Sequence, residues 1–285
     1  MKSCVLALVS ITLACGIACA AQAEEGSFDR SLTVSGPVDL DVKTDSGGIA
    51  VRPGPSGYLR VHAILKSHHG WFESSDVESR IRQLERNPPV EQTGNRIQFG
   101  YVHDRDLLKG ISLRLEIQAP PDTQVRARAD SGGVRVEGIR GPADCRTDSG
   151  GIEMYNIGSD VRASADSGSI HLNKINGSAF ARVDSGGIEA TQVARTIDAQ
   201  TDSGGIRLDQ TRPAPIRARA DSGGVALKLA SSGGYDISAE SESGHISVPE
   251  MTVRGIFSPH HIEGKVRSGG PLVSIHVDSG NVTVE

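Results

Sequence analysis

The chain has 285 residues, with 30 Lys plus Arg against 35 Asp plus Glu, and the resulting net charge of −5 argues against nucleic acid as a generic partner. A hydrophobic content of 37% with 4% aromatic residues and 34 glycines suits a thin repetitive body better than a thick globular core.

Residues 1–23 read as a signal peptide. Lys2 supplies a short basic start, residues 5–18 an apolar run too short to span a membrane, and Ala21-Gln22-Ala23 a small-x-small cleavage site. Thr12-Leu13-Ala14-Cys15 and Gly16-Ile17-Ala18-Cys19 lack the aliphatic residue of a lipoprotein box. Cleavage after Ala23 removes Cys4, Cys15 and Cys19, so Cys145 is left without an intramolecular disulfide partner. The expected product, 24–285, is a single exported domain, periplasmic, cell-surface or secreted.

Asp45-Ser46-Gly47-Gly48-Ile49 is the first statement of the phrase that organises this domain. Residues 24–121 read as elaborated N-terminal coils with an insertion at about 67–95. Within them, 58–65, 96–102 and 111–118 are strand-like, and 75–86 is predicted as a short helix with Ser75 as N-cap and Val77, Ile81 and Leu84 on one face. The helix and longer strands are expected to cover the open edge of the first coils. Pro88-Pro89 ends the helix, and Pro120-Pro121 opens the regular coils of 122–248.

There the phrase recurs at Asp130, Asp148, Asp166, Asp184, Asp202 and Asp221, at spacings of 18, 18, 18, 18 and 19 residues. A fixed period of this size marks a solenoid. Five, three and one residues before each aspartate stand small or apolar side chains, such as Val161, Ala163 and Ala165. Four and six residues after it stand larger ones, such as Ile170 and Leu172. Each coil therefore reads as two strands with period-two alternation, a large column packing against a small one. The predicted fold is an all-β, single-stack parallel β-solenoid (β-helix) with about 18 residues per coil and a short helix in the N-terminal insertion. Left-handed hexapeptide helices are excluded because the positions six and twelve beyond Val134 hold Arg140 and Arg146. Calcium-binding nonapeptide rolls are excluded because Gly-Gly-x-Gly-x-Asp is absent. The glycines fit the reversal between strands, Ser169 standing in for the second of them in one coil.

At the far end Glu242-Ser243-Gly244-His245-Ile246 keeps the frame, and Asp278-Ser279-Gly280 follows 36 residues on. Residues 249–285 read as irregular C-terminal coils, with a protruding loop at Pro259-His260-His261 and an uncapped last coil.

With the Asp-Ser-Gly-Gly-Ile phrase, the leader and the 117–121 lead-in placed, the chain resembles the bacterial exported β-strand-repeat proteins grouped as putative adhesins, a family without a known biochemical function. The likeness covers about 36–285 and implies a β-solenoid at the cell envelope. The family defines no catalytic residues, so none carries over.

The aspartate ladder Asp45, Asp130, Asp148, Asp166, Asp184, Asp202, Asp221 and Asp278 admits two readings. Successive carboxylates can share hard cations, or they can serve the turn and be offset by arginines two residues earlier on the same face. The second is favoured, with no metal assigned. Arg126, Arg128, Arg146, Arg162, Arg182, Arg217 and Arg219 form a candidate interaction face for an anionic envelope glycan or an acidic protein. Cys145 falls in the alanine column and reads as core. His68-His69 and His260-His261 lack a completing ligand set, and Trp71-Phe72 reads as packing of the insertion. No Ser/His/Asp arrangement follows from spacing. The reading is a non-catalytic, cofactor-free structural or adhesive module, self-association through the C-terminal coil being a second use of its edge. Its rivals are a carbohydrate-active enzyme walled by the segment between Val51 and Val125, and an accessory protein of an envelope signalling system.

Overall fold

The computed structural model describes residues 25–67, 74–101, 105–248, 251–252 and 258–285. Residues 1–23, read above as a signal peptide, His68-His69 and Trp71-Phe72 lie outside the described residues.

The N-terminal strands are β1 (Glu25–Thr33), β2 (Asp39–Ser46), β3 (Ile49–Pro53) and β4 (Tyr58–Ser67), followed by helix α1 (Ser74–Arg86), β5 (Val90–Thr93), β6 (Arg96–Phe99) and β7 (Ile111–Ala119). Six regular coils follow, each a strand pair: β8 (Gln124–Ser131) with β9 (Val134–Glu137), β10 (Ala143–Ser149) with β11 (Ile152–Ile157), and β12 (Val161–Ser167) with β13 (Ile170–Ile175). The next three are β14 (Ala179–Ser185) with β15 (Ile188–Val193), β16 (Ile197–Ser203) with β17 (Ile206–Gln210), and β18 (Ile216–Ser222) with β19 (Val225–Lys228). The chain ends in β20 (Tyr235–Ser243), β21 (Ile246–Ser247), β22 (Met251–Thr252), β23 (His261–Val266), β24 (Leu272–Ser279) and β25 (Val282–Val284).

The members of each pair belong to two different sheets, one of 12 strands and one of 13, and the regular coils stack in parallel with an 18-residue register such as Ala143↔Val161 and Ile152↔Ile170. The fold is the parallel β-solenoid that the period predicts. Small inward residues of the 13-stranded sheet (Ala127, Cys145, Ala163, Ala181, Ala199, Ala218) are buried against larger ones of the 12-stranded sheet (Val136, Met154, Leu172, Leu208, Leu227). A further inward column, Ile139, Ile157, Ile175 and Val193, is equally buried. It follows a left-handed residue, Gly138, Asn156, Lys174 or Gln192, which shifts the inward face by one position.

The turn has its own physics. Gly132, Gly150 and Gly168 have φ of +143°, +142° and +141°, and a Cβ at each would overlap the glycine carbonyl oxygen of the neighbouring coil. Glycine is therefore required twice over, by torsion and by space. At the second position, a Cβ on Gly151 would meet Ser169 O at an ordinary 3.4 Å. Ser169 is accepted there for that reason. The turn backbone continues the ladder between coils, Gly132 N–H donating to Ser149 O at 2.9 Å and Gly150 N–H to Ser167 O at 2.9 Å. Threonines that enter the inward column before the aspartate are satisfied in the turn, Thr147 Oγ1 donating to Gly150 O at 2.9 Å and Thr201 Oγ1 to Gly186 O at 3.0 Å.

Spatial order departs from chain order at both ends. β2 and β3 lie between β6–β7 and β8–β9, so the first coil in sequence is second in space. β24 and β25 likewise lie between β18–β19 and β20–β21. This corrects the expectation of an exposed, uncapped C-terminal coil available for self-association: both edges of β24 are already paired. The outermost coil is β20–β21; antiparallel β23 covers its β20 edge, and β21 ends the 12-stranded sheet. His260 and His261 do not form a protruding loop, because His261 begins β23 and Ser241 N–H donates to His260 O. A buried Tyr235 plugs this end, its hydroxyl donating to Gln210 Oε1 at 3.0 Å and accepting from Ala230 N–H at 3.2 Å. At the other end β1 and β4 extend the 12-stranded sheet antiparallel, and α1 docks beside β1 with Val77, Ile81 and Leu84 buried.

Cys145 is fully buried, and burial together with the nearby Asp144 carboxylate pushes its thiol pKa far above the ordinary value. An aromatic disulfide reagent should leave the native protein unlabelled over the time in which it labels the denatured chain completely. Equal rates in both states would contradict the core position.

Candidate functional site

The outward face of the 13-stranded sheet carries two adjoining ladders. One runs Lys43, Arg128, Arg146, Ser164, Arg182, Gln200, Arg219 and His276. The other is the aspartate ladder, whose last rungs in space are Asp221, Asp278 and Glu242. The ladders pair: Arg182 Nε lies 3.7 Å from Asp184, Arg219 Nε 3.3 Å from Asp221, Lys43 Nζ 3.3 Å from Asp45, and Arg146 bridges coils to Asp166 at 3.8 Å. Arg128 reaches Asp41 at 4.0 Å. In the neighbouring row Arg126, Arg162 and Arg217 alternate with Asp41, Asp144 and Asp198 along the sheet, with Phe180 between Arg162 and Asp198. Arg126 holds Asp39 at 3.0 Å and Arg162 stacks on Phe180. The seven arginines therefore share a face, but that face is a mosaic of both signs and not a cationic surface. Exposed pairs of this kind contribute little to stability.

A different place is concave. β1, β4, β7 and β3 lie side by side in the 12-stranded sheet, and their outer face holds a groove of about 460 Å³ lined by Asp29, Ser31, Ala50, Arg52, Arg60 and His62 among others. Arg52 and Arg60 both stand opposite Gln118 of β7, one on each side. Strand spacing puts their backbones about 10 Å apart. Neither guanidinium has a hydrogen-bond or ion-pair partner among the described residues. His62 Nδ1 is engaged with Asp29 at 2.9 Å, and Glu116 and Gln118 add polar groups to the lining. Small Ala50 leaves the depth. The result is a polar groove with two unpaired arginines in one row and the Glu116 and Asp29 carboxylates in the next. Sequence reading missed it because Arg52, Arg60 and Gln118 come from three strands that share no repeat position; only Arg52 follows a copy of the phrase.

The Toastrack DUF4097 family matches residues 91–285. The chain belongs to that family. Comparison with curated proteins gives no match. Among solved structures, a putative adhesin from Bacteroides fragilis is 14% identical, the alignment covering 91% of this chain and 97% of that one, with a TM-score of 0.50. A putative cell adhesion protein from Clostridium sporogenes is 9% identical over 92% of this chain and 99% of that one, with a TM-score of 0.28. The Bacteroides likeness bears on the fold alone. The family match begins after α1, so β1, β3 and β4, which supply both groove arginines, precede it.

Proposed function

We propose that the protein is a non-catalytic, exported interaction module of the cell envelope whose groove holds an acidic glycan. The observation that carries this reading is the pair Arg52 and Arg60 flanking Gln118 in a concave site, both without a carboxylate partner among the described residues. Guanidinium forks match carboxylates bidentately, and Gln118, Glu116 and Ser31 offer bonds to sugar hydroxyls. The adhesin name of the Bacteroides match agrees with an envelope location, as does the leader read at 1–23. The seven arginines of the 13-stranded sheet are assigned a supporting role, keeping a long sheet face solvated through charge alternation.

Titration of the protein with uronic-acid oligosaccharides tests this. Arg52→Ser with Arg60→Ser should weaken binding by at least about 100-fold, at roughly 1.5–3 kcal/mol for each of two charged contacts, without shifting the melting temperature. Arg128, Arg146, Arg182 and Arg219 changed together to serine should leave it unchanged. The opposite pattern would place the ligand on the ladder face, and released oligosaccharide ends would identify a carbohydrate-active enzyme.

A further inference from the structure

The geometry points to a zinc-class divalent metal site at the last rungs of the two ladders, formed by His276, Asp278 and Glu242. Along the basic ladder the partners of the aspartates are lysine or arginine, permanently protonated groups that cannot ligate a metal. At β24 that position is an imidazole, which can. The swapped coil order then sets β20 directly beside it, with Glu240 opposite His276 and the longer Glu242 taking the place of the ladder aspartate. His276 then stands among Glu240, Glu242 and Asp278, while Arg219 of the neighbouring coil is committed to Asp221 at 3.3 Å and His261, across Glu240 on its far side, lies 3.4 Å from Glu263.

Orientation adds a second line of support. His276 Nδ1 lies 3.3 Å from Glu240 Oε2, and Nε2 lies 3.0 Å from Asp278 Oδ1. Each ring nitrogen thus faces a carboxylate, so that Glu240 can hold Nδ1 when Nε2 ligates a metal, the usual arrangement around ligating histidines. Asp278 Oδ1 is shielded from solvent and makes no hydrogen bond, despite its closeness to Nε2. The two atoms converge without bonding each other. For ligand bonds of about 2.0 Å, two corners of a tetrahedral zinc site are about 3.3 Å apart, close to the separation seen here. One ligand atom each of Glu242, His276 and Asp278 lie within 4.8 Å of one another, Glu242 on an exposed side chain able to swing inward. A mixed imidazole and carboxylate set suits zinc in preference to calcium or magnesium, and three protein ligands leave one position open. Sequence reading did not assemble this set, because Glu242 and His276 are 34 residues apart and become neighbours only through the swapped coils.

Titrating the chelator-stripped full protein with zinc chloride by calorimetry, and with cobalt(II) for a visible tetrahedral spectrum, tests the site. One equivalent should bind. His276→Arg, which restores the residue type of the adjacent coil, and His276→Gln, which copies Gln200 of the same column, should each weaken zinc at least about 100-fold and abolish the cobalt spectrum. Glu240→Gln should cost about 10-fold to 100-fold. Asp221→Asn should change nothing. Equal zinc binding by both His276 variants, or several weak equivalents sensitive to Asp221→Asn, would overturn the site and leave adventitious surface carboxylates.

Discussion

Gly150→Ala should destabilise the protein by roughly 3–5 kcal/mol, whereas Gly151→Ser, one residue on, should cost less than about 1 kcal/mol. Gly150 has φ of +142°, a region L-residues rarely enter, and its α-carbon faces the carbonyl oxygen of Gly132 with no room for a methyl group. The coils cannot separate locally to make space, because Gly150 N–H is bonded to Ser167 O on one side and Gly132 N–H to Ser149 O on the other. Gly151 carries neither constraint, and Ser169 occupies the equivalent position in the next coil. Urea denaturation of the two variants checks this through their midpoints. Similar shifts would mean that the turn is looser than its packing indicates.

Removing residues 272–285 should release far more than the deleted coil. In a simple solenoid the last repeat contacts one neighbour, and its loss shortens the stack. Here β24 and β25 supply the strand pairing that joins β18–β19 to β20–β21. Val273, Ile275, Val277, Val282 and Val284 are all buried within the stack. At roughly 1.5–3 kcal/mol for each buried side chain, the loss is of the order of a whole domain's stability. Hydrogen exchange of the truncated protein should find 235–266 unprotected and 124–210 still protected. Persistent protection of 235–266 would show that β20 can dock on β18 without the intervening coil.

The sequence reading and the structure part company at identifiable places. The aspartate period and the alternating columns suffice for the solenoid, because each coil repeats one solution to filling a narrow interior. The column of Ile157 and Ile175 escaped a period-two reading, since the left-handed Asn156 and Lys174 break the alternation just before it. Coil order was not legible either. Every coil offers neighbours the same backbone edge and similar columns, so the phrase says that coils stack but not which coil stacks on which. The order follows from the connectors at 54–95 and 248–271, which carry no copy of the phrase. The arginine column was legible as a row, but its compensation within and across coils depends on rotamers and register. The groove and the His276 cluster join residues with no common spacing, and only folding brings them together.

The interleaved ends also constrain how such a molecule can change its length. A coil added beyond either end would have to displace a covering strand or a docked helix. Between 124 and 193, by contrast, each coil meets its neighbour through the same parallel ladder, and a duplicated 18-residue unit meets equivalent backbone edges above and below. The groove at one end and the histidine cluster at the other are then fixed fittings on a rod of adjustable span. Each extra coil would move them apart by about 4.8 Å, the spacing between paired strands.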